Sequence, residues 1–158
     1  MNLRMLRKED APLMLEWMHD RSVVEHLATN FQEKTIEDCL SFVENAQMYP
    51  NNLHWAIVND SDEYMGTVSL KNLGEGCGEF AITVRKCAMG KGYSRFAMDE
   101  ILEYGSRELN LNGIYWCVSP KNVRAVRFYD KNGYHRTQVV PDRIKEHYSQ
   151  ELIWYVYY

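Results

Sequence analysis

Apolar positions along the chain change period twice, which divides it into a helical opening, a strand-rich middle and a mixed closing stretch. Leu3-Arg4-Met5-Leu6-Arg7 reads as a short strand, and Lys8-Glu9-Asp10-Ala11-Pro12 opens a helix with proline in its first turn. Leu13, Met14, Trp17 and Met18 then recur at helical spacing. Ser22 to Ala28 reads as a second short helix and Thr35 to Ala46 as a third, with Thr35 placed to cap it and Asp38 three residues on. Ile36, Leu40 and Val43 mark the buried face of that third helix.

In the middle the period shortens to two. Leu53 to Val58 and Tyr64 to Leu70 read as strands joined through Asn59-Asp60-Ser61-Asp62, a set of turn residues, so they form a hairpin. Gly78 to Val84 alternates with Phe80, Ile82 and Val84 on one face and Glu79, Ala81 and Thr83 on the other. Helical spacing returns from Tyr93, where Ala97, Met98, Ile101, Leu102 and Gly105 form one stripe that must pack on the sheet, with Asn112-Gly113 as the stop. Ile114 to Val118 is a run of strand formers, and Ser119-Pro120-Lys121-Asn122 leads into a helix over Val123–Lys131 that Asn132-Gly133 ends. Two last strands are expected near Tyr134 to Val139 and from Leu152 to Tyr157. Strands with interspersed helices make this an α/β or α+β chain with a strand–loop–helix–strand unit at its centre.

Length and composition narrow the class without naming a function. A chain of 158 residues suits one domain, and 46% apolar with 25% charged residues is the balance of a globular protein. A formal charge of −4 gives no reason to expect nucleic acid as a partner. No apolar run reaches the length of a signal peptide or a membrane span, so the expectation is a cytoplasmic protein with no membrane partner. Cys39, Cys77, Cys87 and Cys117 show no metal-ligand spacing, which leaves no metal site expected and four reduced thiols, those at 39, 87 and 117 on or beside apolar patterns as small buried hydrophobes.

Candidate chemistry begins at Lys86-Cys87-Ala88-Met89-Gly90-Lys91-Gly92-Tyr93-Ser94, between the alternating strand and the long helix. Glycines let a backbone approach an anion, and the first turn of a helix presents unpaired N–H groups and the positive end of its dipole. A Gly-x-Gly pair alone is more often the mark of a tight connection. The dinucleotide fingerprint fails because Arg95 stands where its third glycine belongs, and the phosphate-loop Gly-Lys-Ser/Thr is missing. An anion bound here is held mainly by main-chain amides.

One helix and one strand later comes Asn122-Val123-Arg124-Ala125-Val126-Arg127-Phe128-Tyr129-Asp130-Lys131-Asn132-Gly133-Tyr134. Together the two segments resemble the GNAT superfamily of acetyl-CoA-dependent N-acetyltransferases. That family's loop is Gln/Arg-x-x-Gly-x-Gly/Ala, and its next characteristic unit is Asn-x-x-Ala-x-x-x-Tyr-x-x-x-Gly-Phe. Asn122, Ala125, Tyr129 and Gly133 fall in register, with Tyr134 for Phe. In the loop Gly92 matches the obligatory glycine, whereas Met89 stands where Gln or Arg is usual and Ser94 where Gly or Ala is usual.

The resemblance implies one N-acetyltransferase domain over 1–158 with a mixed, mostly antiparallel sheet of about six or seven strands flanked by about four or five helices. It implies acetyl-CoA as co-substrate, its diphosphate on Met89, Gly90, Lys91, Gly92, Tyr93 and Ser94, and its pantetheine and acetyl carbonyl along the splayed strand at Ile82, Thr83 and Val84. An N–H of that strand is suited to the oxyanion of acyl transfer. The implied acid for the leaving thiolate is Tyr129, whose phenol has a reference pKa of about 10 and stays protonated at neutral pH. Asn122 caps its helix and also reaches the pantetheine arm, and Gly133 is structural. An attacking alkylammonium must shed a proton; Glu79, opposite Phe80, Ile82 and Val84, is the candidate acceptor, with His54 and His26 as weaker ones.

Met14 to Val24 resembles the opening helix of the ribosomal-protein N-terminal acetyltransferases and of the sugar-nucleotide amine acetyltransferases, where it walls the acceptor site; Trp17 is equally a core anchor. Gly66 to Leu73 with Glu79 to Ile82 looks more like the sugar branch, so a small amino sugar is the expected acceptor. The alternatives are a protein N-terminus, which calls for an open groove, and a non-catalytic CoA-binding module. The tail Trp154 to Tyr158 either completes the sheet or meets a second subunit in a homodimer, and its strand pattern favours the first.

Overall fold

β1 (Asn2–Met5), β2 (Leu53–Val58), β3 (Tyr64–Gly74), β4 (Cys77–Val84), β5 (Gly113–Val118), β6 (His135–Arg136) and β7 (Ile153–Tyr157) form a seven-stranded sheet in the order β1-β2-β3-β4-β5-β7-β6. They are seen in a computed structural model that describes residues 1–148 and 151–158. Among the described residues only β4 and β5 run parallel, the consequence of the crossover through α4 (Tyr93–Arg107); every other neighbour pair there is antiparallel. The aromatic tail therefore completes the sheet, lying between β5 and β6.

Alternation sends the two strand faces into two different cores. Ile57, Val68, Leu70, Phe80, Ile114, Trp116 and Tyr155 face α4 and α5 (Val123–Lys131), where Ala97, Met98, Ile101, Leu102 and Tyr129 meet them. Helix α4 comes close to the sheet because Gly105 offers no side chain: a Cβ there would sit 2.8 Å from the Ile114 Cδ1. On the other face Ala56, Val58 and Tyr64 pack against α1 (Ala11–Met18) and α3 (Ile36–Asn45) through Met14, Trp17, Met18, Cys39 and Val43. Trp17 is a core anchor, 4% exposed, and its indole N–H donates to the Tyr64 hydroxyl at 2.9 Å.

Local signals account for most element boundaries. Thr35 caps α3 with a reciprocal Asp38 contact, and Asn122 Oδ1 accepts the Ala125 N–H at the start of α5. Four expectations are corrected. The helix expected over Ser22 to Ala28 is a single turn, α2 (Arg21–Val24), capped by Asp20 and ending on two β-branched valines. Helix α4 stops at Arg107 rather than near Asn112, because Asn110 takes a left-handed φ of 53° and the Leu111 N–H turns back to the Gly105 carbonyl. The strand expected from Tyr134 to Val139 shortens to β6, since the Thr137 hydroxyl accepts the Val139 N–H and bends the chain. Cys87 is exposed, not buried, because its apolar neighbours belong to a 3-10 turn over Lys86–Ala88 and not to a packed element. The sequence reading also missed α6 (Asp142–Lys145), one turn on the connection between β6 and β7.

Candidate active site

Strand β4 is treated differently on its two edges. It pairs with β3 from Glu79 to Val84, but with β5 only at Cys77, Gly78 and Glu79. Beyond Glu79 the two parallel strands separate, so from Phe80 to Val84 the groups that alternate away from β3 have no ladder partner in β5. Ile82, Thr83 and Val84 lie on this opened edge, and Ile82 and Thr83 are partly exposed. Unpaired main-chain donors and acceptors along a cleft are what an extended amide-bearing ligand needs.

At the far end of the same strand the chain makes its glycine turn. Gly90 and Gly92 have φ of 74° and 88°, and Gly92 occupies the cap position of α4 without a side-chain cap. Among the described residues, the main-chain N–H groups from Gly90 through Arg95 have no hydrogen-bond acceptor. A side chain at Gly90 would meet nothing within 4 Å, so an anion has open access. This is a nest of amides at the positive end of a fifteen-residue helix. Met89, Lys91, Tyr93 and Ser94 complete the turn, with Lys91 exposed and Tyr93 and Ser94 partly buried.

Tyr129, on α5, is buried in the core on the α4 side of the sheet. Its ring lies 5.6 Å from that of Trp116 and 5.0 Å from that of Tyr155, within an aromatic cluster that also holds Tyr134. Burial, reinforced by the neighbouring Tyr155, Tyr134 and Cys117, raises its pKa well above the ordinary phenol value, so it holds its proton at any physiological pH. Asn122, about two turns of helix earlier, has its side chain committed to the cap.

Glu79 faces the other way, at the last residue pair before the strands part. It is 2% exposed; Oε1 accepts from Asn72 Nδ2 at 2.9 Å, Oε2 accepts from the Tyr148 hydroxyl, and Lys71 Nζ lies 4.0 Å from Oε2. The nearby Cys117 thiol is pushed up to about 12 by burial and by the Glu79 charge and so stays neutral. On the same face the His54 Nδ1 is 2.6 Å from the Ser69 hydroxyl, and burial with the nearby Lys71 lowers its pKa to about 4, leaving a neutral imidazole. His26 sits apart, 3.5 Å from Glu25.

The structure sets Ile82, Thr83 and Val84 on the edge that opens after Glu79, with Tyr129 in the core on one face of the sheet, Glu79 on the other, and Met89 to Ser94 beyond the end of the strand. The sequence reading missed Tyr148, Asn72 and Cys117, which frame Glu79. Tyr148 lies in a stretch without hydrophobic period, and nothing local to Asn72 announces its role; only the fold juxtaposes them. Arg124 was passed over inside its own motif: its Nη1 lies 2.9 Å from the Met89 Sδ.

Comparison with known proteins identifies the family and the fold. A family model described as the acetyltransferase (GNAT) domain matches residues 1–135. An uncharacterized N-acetyltransferase of Bacillus subtilis, YnaD, is 29% identical over 140 residues, 85% of this chain and 78% of that protein. The spermidine N(1)-acetyltransferase of Vibrio cholerae is 25% identical over 142 residues, with the same shares covered. A crystal structure of the Vibrio cholerae spermidine N-acetyltransferase in complex with CoA and spermine superposes with a TM-score of 0.78 at 17% identity, covering 98% of this chain and 92% of that one, a likeness of fold. With seven strands in a mixed sheet opened between its parallel pair, the chain belongs to the GNAT acetyltransferase family, the acetyl-CoA-dependent N-acetyltransferases.

Proposed function

We propose that this enzyme acetylates a small primary amine by direct attack in a ternary complex, with the co-substrate on the α4 side of the seam and the acceptor on the Glu79 side. The observation that carries the reading is the parting of β4 from β5 after Glu79, with Tyr129 and Glu79 on opposite faces of that opening. The diphosphate of CoA takes the free amides of Gly90, Lys91, Gly92, Tyr93 and Ser94, with Met89, whose own N–H donates to the Lys86 carbonyl, at the head of the turn. The pantetheine arm lies along Ile82, Thr83 and Val84, beside Asn122, and one N–H of that edge meets the thioester carbonyl as its oxygen gains charge.

Proton traffic closes the scheme. Tyr129 donates its phenolic proton to the departing thiolate, and Glu79 accepts a proton from the acceptor ammonium, displacing Tyr148 or Asn72 to do so. Cys117, held neutral, does not become acylated.

For the acceptor we favour an amine carrying hydroxyls, an amino sugar or sugar nucleotide. The polar groups beside Glu79 are mostly neutral, namely Asn72, Tyr148, Ser69 and the His54 imidazole, and the one carboxylate is matched by Lys71. A polyamine brings further ammonium groups that Lys71 repels. The likeness to spermidine acetyltransferases favours the polyamine as the second reading. Release of free thiol from acetyl-CoA, measured with amino sugars, spermidine and a peptide N-terminus, tests both. Saturable turnover with an amino sugar is expected; turnover only with spermidine or with the peptide overturns the choice of acceptor.

A further inference from the structure

The loop position that the family fills with Gln or Arg is Met89 here, which offers a diphosphate no side-chain donor. The structure supplies a guanidinium at that very place from another element. Arg124, in the first turn of α5, lays Nη1 2.9 Å from the Met89 Sδ, immediately before the run of free amides that starts at Gly90. A thioether is a weak acceptor, and among the described residues no carboxylate lies within 4.0 Å of this guanidinium. It is exposed and still has donors to give. By contrast Arg95, in the first turn of α4, is committed to Asp99 and Asn132.

Arg124 is also not needed for its own helix. Asn122 caps α5, and Tyr129 anchors it in the core. A long cationic side chain held only by a sulfur atom, in a protein of formal charge −4, beside a nest of amides, is poised for an anion.

We propose that Arg124 is a ligand of the CoA diphosphate, standing in from α5 for the polar side chain that the loop lacks at Met89, and that Met89 serves as the platform that aims it. The inference rests on the assignment of the Met89 to Ser94 turn to that diphosphate. Two hydrogen bonds from one planar guanidinium to neighbouring phosphate oxygens are within its geometry.

The test is calorimetry of CoA and of dephospho-CoA, which lacks the 3′-phosphate, with the full chain. Four forms are compared: wild type, Arg124→Ala, Met89→Arg, and the double variant. Arg124→Ala should weaken both ligands by about tenfold, the range of one charge-assisted contact. Placing arginine at Met89 in the Arg124→Ala background should restore affinity to within about threefold of wild type, since the donor then comes from the loop itself. Unfolding of the ligand-free protein should not shift. Unchanged affinity in Arg124→Ala, or a loss confined to CoA, overturns the proposal, the second outcome giving Arg124 to the 3′-phosphate. A lower unfolding temperature without ligand also overturns it, because Arg124 then braces the loop. A wild-type protein with no affinity for either ligand would instead defeat the assignment of the turn.

Discussion

The two ends of the seam are built from different materials. At the glycine turn the unpaired polar groups are main-chain amides presented by a helix end, with left-handed glycines setting their direction. At Glu79 they are side chains from three separate segments, β4, the Asn72 region of β3 and the connection that carries Tyr148, all closed around one buried carboxylate. A backbone site suits a ligand part that never changes, whereas a side-chain site can be re-cut for each acceptor without disturbing the sheet.

Chemistry is where the contrast should be sharpest. Tyr129→Phe keeps the ring in its cluster and removes only the proton donor, so kcat should fall by about 10²-fold or more with little change in KM for acetyl-CoA. An unchanged kcat across the pH range would take the acid role away from Tyr129. On the acceptor side, Glu79→Gln should lower kcat/KM for the amine by roughly 10- to 100-fold, leaving CoA affinity alone. A loss of CoA affinity in that variant would erase the division between the two ends.

Gly92→Ala forces a left-handed residue with a Cβ at the cap of α4, a cost of about 1–2 kcal/mol, and should weaken CoA binding by about tenfold or less while sparing amine KM. Calorimetry against the amine titration separates the two. A last effect, on stability rather than on turnover or binding, concerns His54. Its folded-state pKa of about 4 lies below the unfolded value of 6.5, so its contribution to stability is fully present above pH 6.5 and is lost as pH falls toward 4. Between pH 7 and pH 5 the wild type should lose about 2 kcal/mol more than His54→Gln in urea unfolding. Equal losses would mean that the imidazole is not held neutral by its burial.

What could be read from the sequence follows the same division. The glycine turn, the cap at Asn122 and the position of Tyr129 are local in sequence, fixed by spacing within one or two elements, and the structure places them where the spacing implied. The alternation of Phe80, Ile82 and Val84 against Glu79 was equally legible, because period two assigns faces without knowledge of neighbours. The shell around Glu79 was not, since Tyr148 comes from a stretch lacking any period and meets Glu79 across 69 residues. Helix ends were misjudged where a single left-handed residue, Asn110, outweighed the Asn-Gly signal that follows it.

The three-pair junction between β4 and β5 also divides the sheet into two panels, β1 to β4 and β5 with β7 and β6, stitched over a short stretch at one end. Such a seam is mechanically a hinge. A ligand that hydrogen-bonds to its free edge becomes a temporary strand between the panels, so occupancy should slow amide exchange at Phe80 to Val84 and stiffen the molecule as a whole.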